Sequence, residues 1–276
     1  MVDLPSPYRK IRSLSSGSDA EVMLVRRTTD GRGFALKLAF PTKHAERAIY
    51  MEHKLLGELS HPNLLTAHEM IEAEGRNGLI IEYFPGTTLR ESMHSDREKV
   101  IRHLGYLVEQ IADALGYLHD HGICHGDVKP ENILVAPGGR VRLIDLSISG
   151  GRGWGWLAPR KLAGTPKYMA PELIRRKRST PGSDLYALGV LCYEIIAGRA
   201  PVDGATKEDI LAKHLAGQIT PIRHHLRSID SRVERLVMSA LSKDPARRPA
   251  DCRSFGRRLG KVLRGPLEVP ERLGLA

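Results

Sequence analysis

The chain has 276 residues and a mass of 30.6 kDa, enough for one large domain or two lobes. With 41% hydrophobic and 27% charged residues it is too apolar for a disordered chain, and 42 Lys+Arg against 32 Asp+Glu leave a net +10 that points to an anionic partner. Three scattered cysteines without a CxxC pair exclude a disulfide framework and a cysteine zinc site, and they suggest a reducing, cytoplasmic setting.

The first stretch reads as short strands around one helix. Residues 11–14, 21–27 and 33–40 are β-prone, the last two separated by a turn at Asp30-Gly31. Residues 44–59 carry Ala45, Ala48, Ile49, Leu55, Leu56 and Leu59 at helical spacing. Strands are expected over 65–73 and 78–83, with Asn77-Gly78 as the hairpin signal between them. Pro85-Gly86 breaks the pattern, which puts a hinge near 83–86.

Beyond the hinge the pattern turns helical. Ile101, Leu104, Val108, Ile111, Leu115 and Leu118 mark an amphipathic helix ending at His121-Gly122. Short β-like pieces at 133–135 and 141–144 precede a glycine-rich loop, and helices continue to about residue 263. The apolar run 185–197 is too short to span a bilayer and reads as a buried helix, so no membrane anchor is expected; no secretory signal is visible either. The expected architecture is α+β: a small β-rich lobe with one helix over 1–84, a larger helical lobe over 85–264, and a tail over 265–276.

Certain residues carry chemistry as an ordered set. They are Lys37 in Phe34-Ala35-Leu36-Lys37, Glu52 on the following helix, and His125-Gly126-Asp127-Val128-Lys129-Pro130-Glu131-Asn132. Asp145 follows a short strand, and then come Ala170-Pro171-Glu172, Asp184 with Gly189, and Arg248-Pro249. Phosphoryl transfer from ATP needs a cation on the phosphates, carboxylate and amide ligands for Mg²⁺, and a carboxylate near the incoming hydroxyl. Each piece is weak alone, whereas the set in this order is specific.

On these residues the chain resembles the eukaryotic-type (Hanks-type) serine/threonine protein kinases, over about residues 8–263, and in its compactness a bacterial member. The resemblance implies a two-lobed protein-kinase-like fold, ATP and Mg²⁺ as cofactors, and protein substrates. It implies that Lys37 holds the α- and β-phosphates and pairs with Glu52. Asp127 would orient and deprotonate the acceptor hydroxyl, Lys129 would neutralise the γ-phosphate, and Asn132 and Asp145 would ligate the metal. Ile81 would stand behind adenine, the backbone of Glu82 and Phe84 would bind the base, and Val22, Ala35 and Leu134 would sandwich it. Leu14 and Gly17 would complete the nucleotide site, and Glu172 and Arg248 would form an anchoring ion pair.

Three departures from the family pattern carry expectations. Only Gly17 remains of the three glycines over the phosphates, with Ser15 and Ala20 at the other two positions. Asp19 sits at the loop tip, so weakened ATP affinity is expected unless its carboxylate turns away. His125-Gly126-Asp127 lacks the arginine that would capture a phosphate on the activation loop, which implies a non-RD kinase active without loop phosphorylation. Asp145-Leu146-Ser147 replaces Asp-Phe-Gly, with Leu146 expected in an apolar spine with Leu56 and His125. Trp154 and Trp156 are expected either to pack the loop or to form a docking surface.

His119, His121 and His125 read as packing and backbone-bonding residues rather than metal ligands, and Cys124 as a buried apolar filler. The reading is an ATP-dependent protein serine/threonine kinase. Its alternatives are a pseudokinase scaffold, prompted by the eroded glycine loop, and a small-molecule phosphotransferase, prompted by His-Gly-Asp. The charge is unevenly placed: residues 1–84 hold 11 basic and 11 acidic residues, whereas residues 140–178 hold 10 basic and 2 acidic. Without interleaved base-stacking aromatics this is not the pattern of a nucleic-acid binder. It suggests acidic protein substrates docking near residues 150–178.

Overall fold

The computed structural model describes residues 4–146, 150–151 and 165–264. They form two compact units. One is Met1–Gly86 together with Arg142–Ser147, and the other is Thr87–Val141 together with Ile148–Ala276.

The first unit is an antiparallel sheet with one helix. Its elements are β1 (Tyr8–Ser16), β2 (Ala20–Arg27), β3 (Gly33–Ala39), α1 (Lys43–Glu58), β4 (Ala67–Ala73) and β5 (Arg76–Glu82), and the sheet order is β1-β2-β3-β5-β4. Register places Val22 opposite Lys37, Leu24 opposite Ala35, and Ile81 opposite Ala35. Because side chains alternate along a strand, Val22, Ala35, Lys37 and Ile81 share one face of the sheet. The other face buries Met23, Val25, Phe34, Leu36, Leu38 and Ile80 in one cluster with Tyr8. Thr42 caps α1 by accepting from the Ala45 amide, and Ala45, Ala48, Ile49, Glu52, Leu55 and Leu56 form its buried stripe. Glu52 is the one charged residue in that stripe.

The β4–β5 turn is not where Asn77-Gly78 would put it. Ala73 pairs with Arg76 and Glu72 with Asn77, so the turn is Glu74-Gly75, both at positive φ (54° and 68°). This is the left-handed pair that a two-residue hairpin requires. Gly78 lies within β5 for a packing reason: a Cβ there would come within 2.8 Å of Leu36 Cδ1.

The second unit is mostly helical. It runs through β6 (Thr87–Thr88), α2 (Leu89–Ser95), α3 (Arg97–Asp120), β7 (Ile123–Cys124) and β8 (Ile133–Val135). The strand β9 (Val141–Leu143) then leads the chain from this unit into the first. Beyond it lie β10 (Gly150–Gly151), α4 (Pro171–Ile174), α5 (Pro181–Ala197), α6 (Lys207–Ala216), α7 (Ile222–His225), α8 (Ser231–Ala240) and α9 (Cys252–Leu263). β6 pairs with β8 and β7 with β10.

The expected helix around residues 101–118 lies inside α3. The separate α2 was legible only in its caps, a Thr88/Glu91 capping box and Asp96 accepting from the Lys99 amide. The apolar run 185–197 lies in α5, which is buried on nearly every side and packs against α3 and α8. Gly189 permits that approach, since a Cβ on it would stand 2.9 Å from the Ala240 Cβ. The Glu172–Arg248 pair is present and bidentate at 2.7 and 2.8 Å. Arg248 also donates to the Gly182 and Ser242 carbonyls, and Ser183 donates to Glu172. Among the described residues no helix is long and apolar enough to cross a membrane.

Candidate active site

In the first unit, β3 and α1 bring a lysine and a glutamate together. Lys37 Nζ lies 2.6 Å from Glu52 Oε2 and 3.1 Å from Asp145 Oδ1. Glu52 also accepts from the Leu146 amide. Burial opposes the charge on Lys37, but the two carboxylates outweigh it and its pKa stands above the ordinary lysine value. Burial, only partly offset by Lys37, raises the pKa of Glu52.

Segment 142–146 is held in this unit by several bonds. Leu143 donates its amide to the Asn63 carbonyl, Arg142 donates to Glu82 and to the Pro62 carbonyl, and the Arg142 guanidinium stacks on Phe84. Asp145 sits at φ 67°, a left-handed conformation that costs a non-glycine residue about 1–3 kcal/mol. That strain directs its carboxylate at Lys37.

The remaining nucleotide-site candidates of this unit line the same sheet or its strand ends. Val22, Ala35 and Ile81 share the Lys37 face. Leu14 stands at the bulge between Ser13 and Ser15, and Gly17 opens the β1–β2 turn, bonding its amide to the Ala20 carbonyl. The Glu82 amide is committed to the Thr66 carbonyl, and Phe84 is buried, its carbonyl accepting from Gly86. Asp19 accepts from Ser18 and lies 3.7 Å from His44 Nε2 at the start of α1. Its carboxylate thus has local partners within the turn and α1.

In the second unit, Asp127, Lys129 and Asn132 converge. Lys129 Nζ donates to Asp127 Oδ2 at 2.5 Å and to Thr165 Oγ1 at 3.0 Å. Asn132 Nδ2 donates to the Asp127 carbonyl (2.9 Å) and to its carboxylate (3.1 Å). The amide and hydroxyl of Thr165 donate to Asp127 Oδ1. Both oxygens of Asp127 are therefore aimed by neighbours, and Thr165, next to the 3₁₀ turn Pro166–Tyr168, is tied to it.

The loop that carries Asp127 is anchored from beneath by Asp184 on α5. This buried carboxylate accepts from the amides of His125 (2.8 Å) and Gly126 (2.9 Å) and from His119 Nε2 (2.8 Å). Burial works against its charge, but the bonds from His119 and the amides win and its pKa is lowered. Gly126 adopts φ 82°, so a residue without Cβ suits this bend. Cys124 Sγ stands within 4.8 Å of the His119 and Asp184 ligand atoms, yet Asp184 is spent on the loop. Burial pushes the Cys124 thiol up to about 12, which makes it inert. Leu134 is half-buried on β8 opposite Thr88 in this unit.

Leu56 and Leu146 are buried in the first unit and His125 in the second. Ser147, Ser149, Trp154, Trp156, Gly164 and the tail 265–276 lie outside the described residues. Sequence reasoning missed Arg90. It bonds Glu131, Glu194 and Tyr168, and nothing in the sequence links four residues so far apart.

Residues 8–255 match the family model described as the protein kinase domain. The chain is 28% identical to the serine/threonine-protein kinase PrkC of Bacillus subtilis over 246 residues, 87% of this chain and 38% of that protein. It is 28% identical to the serine/threonine-protein kinase PknB of Mycolicibacterium smegmatis (89% and 41% covered). It is 31% identical to the serine/threonine-protein kinase pkn3 of Myxococcus xanthus (92% and 50% covered). The chain thus spans half or less of the length of these relatives.

Proposed function

We propose that this chain, which belongs to the protein kinase family, is an ATP-dependent serine/threonine kinase that transfers the γ-phosphate to hydroxyls of protein substrates. The observation that carries the reading is the Asp127 cluster: a carboxylate aimed by Lys129 and Asn132 and tied through Thr165 to the turn where an acceptor chain would dock. In the first unit, Lys37 held by Glu52 would clamp the α- and β-phosphates. Asp127 would take the hydroxyl proton, and Lys129 would offset the charge developing on the transferred group. The formed Lys37–Glu52–Asp145 arrangement favours turnover over a scaffold.

Asp145 and Asn132 would hold Mg²⁺. The fit rests on their chemistry: Asp145 supplies carboxylate oxygen, and Asn132, whose amide nitrogen is spent on Asp127, presents its amide oxygen, both hard donors suited to this cation. When bound, the metal would neutralise phosphate charge. Val22, Ala35, Ile81 and Leu14 would enclose the adenine, Leu134 would contact it, and Glu82 and Phe84 would meet its edge through backbone. Gly17 would let the β1–β2 turn close over the phosphates.

Gly126 supports a non-RD mechanism. It has no side chain to capture a loop phosphate, and its backbone is already fixed by Asp184, so activity would not need phosphorylation within residues 147–164. The exposed run Arg175–Arg178 makes no ion pair among the described residues, which supports acidic substrates on this unit. The bacterial relatives support a bacterial origin, and the buried free thiols of Cys124, Cys192 and Cys252 support a reducing, cytoplasmic setting.

The test is transfer of labelled phosphate from ATP with Mg²⁺ to a generic acceptor protein, beside Asp127→Ala. Label transferred only by the unmutated chain is expected. Thermal stabilisation by ATP and Mg²⁺ without transfer would make the chain a pseudokinase.

A further inference from the structure

Arg90 on α2 is the hub of a charged cluster that the phosphoryl-transfer roles above do not use. Its Nε donates to Glu131 Oε1 at 2.8 Å, Nη1 to Glu194 Oε1 at 2.9 Å, and Nη2 to the Tyr168 hydroxyl at 2.6 Å and to Glu194 Oε2 at 3.4 Å. Tyr168 in turn donates its hydroxyl to Glu194. The partners come from three separate segments: the turn just after the Asp127 loop, α5, and the turn Pro166–Tyr168. One guanidinium thus meets two carboxylates. Burial, together with Glu194, raises the pKa of Tyr168 and keeps its phenol neutral, so the cluster carries one cation against two anions.

Its position matters more than its strength. Asp127, Thr165 and Tyr168 line one cavity, and Tyr168 bonds Arg90 and Glu194, so the cluster reaches the Asp127 cavity through Tyr168. The Arg90 side chain is 24% exposed and that of Glu131 is 45% exposed, so both are open to a passing chain. Two carboxylates spaced to take a single fork of N–H donors make a receptor for a guanidinium or ammonium group. Here a residue of the chain itself fills it.

We propose that Arg90 is a specificity-determining residue: by occupying the Glu131–Glu194 pair it stops the acceptor site from selecting substrates with a basic residue near the phosphorylated hydroxyl. Acceptor chains are then sorted by the exposed cations at Arg175–Arg178, which favour acidic sequences, with no opposing carboxylate pair beside Asp127. Without Arg90 the two glutamates would stand uncompensated, and a Lys or Arg of the acceptor would supply the missing cation. The inference rests on the reading that the acceptor is a polypeptide hydroxyl.

A positional peptide library phosphorylated by the wild-type chain and by Arg90→Ala tests it. Arg90→Ala is expected to raise selection for Lys or Arg at one acceptor position about tenfold relative to Ala or Glu, and Arg90→Lys is expected to keep the wild-type profile. Adding Glu194→Gln to Arg90→Ala should remove the gained selection. Glu131→Gln with Arg90 retained, a change at an exposed site, should shift the profile toward acidic residues.

An Arg90→Ala enzyme that phosphorylates peptides with an unchanged ranking overturns the inference, as does uniform loss of activity with the Glu131→Gln profile unchanged. If the wild-type chain labels no peptide at all, the kinase reading fails instead, and the two failures are distinct.

Discussion

Asp127 is held by more neighbours than a surface carboxylate needs. Lys129, Asn132 and Thr165 together fix both of its oxygens, as a proton acceptor must be fixed to meet an incoming hydroxyl. Asp127→Ala should lower kcat by roughly 10²–10⁴-fold with little change in thermal stability, measured by label transfer and a melting curve. Gly126 makes the neighbouring argument. At φ 82° it accepts the bend without strain, whereas a larger residue there, while regaining a group able to bind a loop phosphate, would bear about 1–2 kcal/mol of left-handed strain. Phosphatase treatment of the purified chain is expected to leave its activity unchanged. Abolished activity, matched by mutation of Ser147 or Ser149, would refute the non-RD mechanism.

Between elements, buried polar pairs rather than surface ion pairs decide stability. The Arg248 side chain is 0% exposed, bonds Glu172 through both nitrogens and lies over the Tyr186 ring. Removing one partner strands the other's charge in the interior. Arg248→Ala should therefore cost about 3–5 kcal/mol in urea unfolding, well beyond the loss of an exposed pair such as Arg199–Asp203.

His214 on α6 links helices in a second way. It is fully buried, its Nδ1 lies 2.6 Å from the Tyr186 hydroxyl on α5, and burial lowers its pKa from 6.5 to about 4. Because the folded value lies below the unfolded one, its contribution is complete above pH 6.5 and is lost as pH falls toward 4, by roughly 3 kcal/mol in all. Comparing unfolding at pH 7.5 and 5 for the wild type and His214→Phe should show the variant's smaller dependence on pH.

Across the molecule, charge is concentrated where the acceptor is expected. Arg175–Arg178 are exposed and lie just after α4. Their field acts at long range and is screened over about 10 Å at 0.1 M salt. KM for an acidic acceptor protein should therefore rise with ionic strength. Reversing Arg175 and Arg178 to Glu should raise it roughly three- to tenfold and leave stability within about 0.5 kcal/mol. A KM unmoved by both salt and charge reversal would remove the basic turn from substrate binding.

Much of the fold was open to reading from patterns local in sequence. The β-prone runs of β2 and β3, the three-to-four spacing along α1 and α3 and the apolar run of α5 are all local, so the chain states them residue by residue. The Asp127–Lys129–Asn132 motif is equally local: its members lie within six residues and fold onto one another. Where the reading missed, a distant residue had decided. The hairpin signal at Asn77-Gly78 lost to Glu74-Gly75 because Gly78 was needed against Leu36, a contact across strands that no window along the chain contains. Likewise the Arg90 cluster joins residues up to 104 positions apart. Sequence alone determined the elements, the family set of reactive groups and their order. Only tertiary structure decided which carboxylates each cation meets, because ion pairing depends on distance and burial in space, and these arise only once the chain has packed.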